Sequence, residues 1–142
     1  MKWKWIKLVS VMVFALVISA QPLSAAAKTQ KVKVTFVSAS LVENNHVGNE
    51  WWSGGYVDGE ELAEGESVTI NASSTGTIKL LAEAQEQDKI PEEGSATASI
   101  KVSTLKATQN KSLSVKVVEN RGRYSGNTAT WEFVFKLEKV KS

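Results

Sequence analysis

The chain has 142 residues, of which 42% are hydrophobic and 23% charged. That balance belongs to a globular protein and excludes a disordered or fibrous one. There is no cysteine and one histidine, which excludes disulfide frameworks, thiolate or multi-histidine metal sites, cysteine nucleophiles and a lipid-modified N-terminal cysteine.

The first 27 residues read as an export signal. Met1–Lys7 carries Lys2, Lys4 and Lys7 and no acid, Leu8–Ser19 is apolar, and Ala25-Ala26-Ala27 follows Pro22. A basic start, a short apolar run and small residues at the end are what signal cleavage requires. The apolar run falls short of the roughly 20 residues of a spanning helix, so no transmembrane segment is expected after cleavage. Trp3 and Trp5 go with the discarded piece. The remaining 28–142 is long enough for one domain and too short for two. Losing three lysines leaves 14 basic and 15 acidic residues, net −1, with no basic surface to argue for nucleic acid. The expected location is secreted or extracytoplasmic, in a bacterial setting.

From Lys31 onward the chain alternates as strands. Lys31–Val42 begins with Val32, Val34 and Phe36 on one face, then continues with Val37, Ala39 and Leu41. The phase slips at Phe36-Val37, which predicts a β-bulge. Trp51–Val57 and Glu60–Leu62 flank Asp58-Gly59, a two-residue hairpin signal. Ser67–Asn71 is short. Thr77–Ala84 turns Ile78, Leu80, Ala82 and Ala84 inward, and Ala96–Leu105 turns Ala96, Ala98, Ile100 and Val102 inward. Ser112–Glu119 does the same with Leu113, Val115 and Val117. Thr128–Lys139 is strongest, with Ala129, Trp131, Phe133, Phe135 and Leu137 on one face. Seven to eight short strands separated by turn signals predict an antiparallel β-sandwich, C2-like or immunoglobulin-like.

In a sandwich the loops carry function, and three stand out. Glu43–Gly55 holds Trp51 and Trp52, followed by Tyr56. An exposed Trp beside Asn44, Asn45 and Asn49 suits a sugar; alternatively, one Trp enters the core and the other covers a sheet edge. Gln85–Ser95 holds Glu86, Asp88, Glu92 and Glu93, oxygen donors for a hard cation such as calcium. The alternative is a solvated acidic turn. Glu119–Asn127 carries Arg121 and Arg123, the only arginines, suited to a carboxylate or phosphate, or to pairing with Glu119 or the acidic loop. Sequence does not tell which of the three share an end of the sandwich.

Enzymatic signals are poor. His46 has Ser53 and Glu50 within reach in sequence but no nucleophile-elbow motif accompanies them. The carboxylates of Gln85–Ser95 lie on one loop and not across a cleft, which argues against glycoside hydrolysis.

Lys31–Asn45, Tyr56-Val57-Asp58-Gly59 and Lys79–Gly94 together resemble the strand–loop order of C2-type β-sandwich domains. The likeness covers about half the chain. It implies a sandwich whose acidic loops bind calcium and dock on membranes. The chain departs from that pattern in having only Asp88 as an Asp in the second loop, and Asn44 and Asn45 in place of paired Asp.

The expectation is therefore a non-catalytic binding domain whose loop surface is calcium-assisted or Arg/Glu-stabilised, with an extracellular protein or cell-wall polysaccharide as partner. A carbohydrate-binding module using an exposed Trp is the alternative, and a secreted hydrolase ranks last. The secreted chain should begin at Lys28, which N-terminal sequencing checks; secretion at full length would contradict the reading.

Overall fold

The computed structural model describes residues 28–141; the expected export signal, 1–27, lies outside them. Eight strands follow in chain order: β1 (Thr29–Asn44), β2 (Trp51–Val57), β3 (Glu60–Leu62), β4 (Ser67–Ser73), β5 (Thr77–Glu86), β6 (Glu92–Lys101), β7 (Thr108–Val118) and β8 (Thr128–Lys139). They form two four-stranded antiparallel sheets, ordered β4-β1-β8-β7 and β3-β2-β5-β6. The protein is the all-β sandwich that the alternation predicts.

The core is built by period-two burial. Val32, Val34 and Phe36 from β1 meet Phe133, Phe135 and Leu137 from β8, all buried. Phe36 stacks on Phe133 at 5.9 Å and on Phe135 at 5.2 Å between centroids. The facing sheet yields room at Gly55, where a Cβ would stand 3.0 Å from the Phe36 ring. Gly94 of β6 presses against the carbonyl of Lys116 in β7, so the two sheets draw together along that side.

The β1–β8 register shifts between Phe36 and Ser38, where a bulge is predicted. A second shift falls between Leu41 and Glu43. The skipped residues, Val37 and Val42, are both exposed, Val42 at 56%. Each bulge sheds one valine to solvent, and the first thereby returns Ala39 and Leu41 to the core side. The Asp58-Gly59 turn has positive φ at both positions, 46° and 83°, as a two-residue hairpin of this kind requires. Asp58 also accepts the Lys79 amide through Oδ1 at 2.8 Å.

Several boundaries differ from the sequence reading: β1 spans Thr29–Asn44 instead of Lys31–Val42, β4 runs on to Ser73, and β7 starts at Thr108 instead of Ser112. The expected strand Ala96–Leu105 ends at Lys101, and Val102–Thr104 is a 3₁₀ turn. Val102 and Leu105 are buried, because the chain there crosses from one sheet to the other and closes the end of the core. The expected loop Gln85–Ser95 shrinks to 87–91, since β5 runs on to Glu86 and β6 starts at Glu92. Both strands are ten residues long and pair throughout.

Phe133→Ala should cost about 3–5 kcal/mol, the usual loss for a large buried aromatic. Chemical denaturation measures it. A loss below about 1 kcal/mol would mean that the side chain does not hold the sheets together.

Candidate functional site

Three connections converge at one end of the sandwich: 45–50 between β1 and β2, 87–91 between β5 and β6, and 119–127 between β7 and β8. Strand register brings them there. Asn44 pairs with Ala129 and Val118 with Thr128, while Trp51 pairs with Glu86 and Glu86 with Glu92. Hydrogen bonds then tie loop to strand and loop to loop. The Asn45 amide donates to the Thr128 carbonyl at 3.1 Å, and the Gln87 amide to the Glu50 carbonyl at 2.6 Å. The Asn120 amide approaches Glu92 Oε1 at 3.5 Å.

The first loop is shaped from within. Asn44 donates through Nδ2 to the Gly48 carbonyl at 2.7 Å and accepts the Val47 amide through Oδ1 at 3.0 Å. Val47 is thereby tucked into the core. Asn44 thus spends one of its two amide hydrogens on this turn. Gly48 has φ of 142°, and the carboxyl of Glu86 occupies the place where its Cβ would be. Only glycine satisfies both conditions.

The acids are arranged as a set. One carboxylate oxygen each from Glu86, Asp88 and Glu92 lie within 4.8 Å of one another. Glu86 is 2% exposed and Glu92 4%, whereas Asp88 is exposed. Glu86 Oε2 accepts the Asp88 amide at 3.1 Å, and Asp88 Oδ1 accepts the Ile90 amide at 2.8 Å. Glu92 Oε2 is buried with no hydrogen-bond partner. A depression of about 620 Å³, lined by Gly48, Asn49, Glu50, Glu86, Gln87, Asp88 and Lys89, opens beside the set. Packed carboxylates of this kind have the donor chemistry of a hard, oxygen-binding cation.

Burial pushes the Glu86 carboxyl above the ordinary carboxylate range, and the neighbouring Asp88 charge adds to the rise. Burial likewise raises Glu92, and next a side-chain hydrogen bond with the Glu119 carboxyl, which requires a shared proton, raises it further. Both shifts record the cost of keeping uncompensated negative charge out of water.

The expected site residues divide. Glu86, Asp88 and Glu92 come together; Glu93 does not, because alternation turns it to the outer face of its sheet, where it is exposed. The picture of a solvated acidic turn also fails for Glu86 and Glu92, which are strand residues on the core face. The arginines pair with no carboxylate: among the described residues the ion pair present is Lys136–Glu138 at 3.0 Å. Glu119 Oε1 accepts the Arg121 backbone amide at 3.0 Å, not its guanidinium. Arg123 lies over the Tyr124 ring at 5.0 Å, and His46 stacks on Tyr124 at 4.6 Å. His46 therefore belongs to a loop–loop stack, while Ser53 lies in β2, away from that stack. Trp51 turns inward, donates to the Gly48 carbonyl at 3.0 Å and meets Trp131 edge-on at 5.6 Å. Trp52 and Tyr56 take the outer face of β2, half-buried.

Glu119 neighbours Glu92 at the edge of the set, a position that sequence reading does not assign to it. Its signal was present in the strand phase, which runs Leu113, Val115, Val117 and then Glu119. The same continuation places Glu86 after Ala84, and Glu92 ahead of Gly94 and Ala96. Scans against protein-family models and curated proteins return no match to this chain.

The raised carboxyls give a pH dependence. Without a cation, folded Glu86 and Glu92 hold protons more tightly than the unfolded chain does. Their stabilising contribution is complete below the unfolded value of about 4.3 and is lost as pH rises through the raised folded values. In EDTA the contribution of these two carboxyls should thus fall as pH rises from the ordinary carboxylate value toward neutrality. Glu92→Gln, which is neutral throughout, should flatten that fall. Denaturant midpoints across that pH range check both statements.

Proposed function

We propose that the protein is a secreted, non-catalytic binding domain that offers the loops of this sandwich end to a protein or cell-envelope partner. Glu86, Asp88 and Glu92 hold a hard divalent cation, calcium, that stiffens the end. The observation that carries the reading is the Glu92 carboxyl, nine-tenths buried within the set and keeping an oxygen without a partner. A buried anion left so is costly until a proton or a cation meets it. No guanidinium answers that need among the described residues, and the neighbouring Glu119 carboxyl can answer it only by sharing a proton; a cation supplies the charge at neutral pH.

The same geometry weighs against hydrolysis. Glycosidase acids stand about 5–9.5 Å apart across a substrate cleft, whereas these carboxylate oxygens gather within 4.8 Å, and two belong to buried side chains. Calcium takes six to eight oxygens, so backbone carbonyls and water complete the shell. A site with so few carboxylates fits the weak affinity of extracellular modules, about 10⁻⁴–10⁻³ M. The leader-like N-terminus supports export to where calcium is plentiful.

Thermal melts in EDTA and in excess calcium test the reading. A cation that binds only the folded chain adds about 2.7 kcal/mol at a hundredfold excess over Kd, so the midpoint should rise by several degrees. Glu92→Gln should lose most of that rise. Arg121→Ala and Arg123→Ala should keep it and shift stability by less than about 0.5 kcal/mol, as exposed positions do. Superimposable melts, with no heat on titrating calcium, would remove the cation from the proposal.

A further inference from the structure

The outer face of the β3-β2-β5-β6 sheet carries a feature unrelated to the cation set. Trp52 and Tyr56 flank Gly54 on this face. The benzo end of the indole runs along the strand over Gly54, where a Cβ would come within 2.8 Å of Cη2 and 2.9 Å of Cζ2. The same Cβ would be 3.3 Å from Tyr56 Cε2. Glycine is therefore what lets the indole lie along the sheet instead of standing off it. Beside it runs a groove of about 310 Å³ bordered by Glu83, Gln85, Glu93 and Ser95. Cross-strand pairing sets these polar groups in two rows next to the aromatic one: Trp52 opposite Gln85, Gln85 opposite Glu93, and Glu83 opposite Ser95.

The charged residues that line this groove, Glu83 and Glu93, have one sign. No basic residue lines the groove. Lys79, the nearest lysine along β5, is four residues from Glu83, about 13 Å at strand rise. Burial, followed by the charges of Glu61 and Glu83, pushes the Tyr56 hydroxyl above its ordinary value. An acidic polysaccharide is repelled here, and a neutral one leaves both carboxylates unanswered. A pyranose bearing a protonated amine satisfies every element at once. Its C–H face stacks on the indole, its hydroxyls meet Gln85 and Ser95, and its ammonium meets Glu93 or Glu83.

We infer that Trp52, lying over Gly54 between Tyr56 and the Glu83/Glu93 rows, is the platform of a subsite for a glucosamine-containing polysaccharide. The subsite lies on the opposite face of the sheet from Glu86 and Glu92, and it stands or falls independently of the cation reading.

Trp52 is the one tryptophan of the described residues that is turned away from the core, so its fluorescence reports occupancy. Titrating the protein with chitosan hexamer should give a saturable change in emission and a matching heat, alike in EDTA and in calcium. Trp52→Ala should weaken binding by about tenfold, the factor expected for loss of one aromatic contact of about 1.4 kcal/mol. Glu93→Gln, at an exposed position, should weaken it severalfold and reduce its sensitivity to salt. Absence of saturable binding would overturn the inference. So would equal affinity in the wild type and Glu93→Gln, or tighter binding of cellohexaose than of the chitosan hexamer. A calcium-dependent melt together with no chitosan binding would sink this inference alone; the converse result would sink only the cation.

Discussion

A carboxylate at the inward position of a strand must be matched or neutralised, and in this protein two neighbouring strands end that way. β5 closes on Glu86 and β6 opens on Glu92, while the half-buried Glu119 lies just past the end of β7. The apolar core stops along this line, and acids take its next layer. Burying a charge without a partner costs several kcal/mol even after relaxation, a large share of the ~5–15 kcal/mol that stabilises a whole domain. The rest of this end of the molecule is organised around that requirement.

The scaffold leaves little freedom to relieve it. Glu86 cannot swing toward the first loop, because its carboxyl already fills the space beside Gly48. Glu92 cannot move outward without disturbing β6, which Gly94 holds against the β7 backbone. The Phe36–Phe133–Phe135 stack anchors the β1–β8 pair farther along. Rigid strands thus deliver the acids, while the exposed Asp88 and the loops around it remain the adjustable part. That division, a fixed buried pair with a movable third ligand, is suited to a site that responds to a cation. The opposite face of the same sheet uses the same strands differently: alternation sends Trp52, Glu83, Gln85 and Glu93 outward, where they are free to meet a ligand.

Much of this was readable in the sequence. Period-two alternation predicts the sandwich, and the Phe36-Val37 phase slip predicts the bulge. The second bulge, at Val42, was hidden because Glu43 and Asn44 follow with no apolar residue to reveal a change of phase. The 3₁₀ turn at Val102–Thr104 was hidden for the reverse reason: Val102 keeps the strand's phase even though the backbone leaves the sheet. The acidic residues resemble a loop in sequence because Glu and Asp are common in loops. Continuing the inward phase by one step beyond Ala84 and Val117 would have placed Glu86 and Glu119 correctly. What sequence did not contain was the convergence of the three loops, which depends on sheet order and not on any local pattern.

The central claim is that one cation ties three loops through buried carboxylates, and amide hydrogen exchange with and without calcium tests it most directly. The informative amides are Asn45, Asp88 and Asn120, bonded in turn to Thr128, Glu86 and Glu92. Gly76, bonded to Ser73 at the far end of the sandwich, is the control. The account predicts that calcium slows the first three together and leaves Gly76 unchanged. Exchange that is the same in both conditions, or slowed only at Asp88, would contradict it.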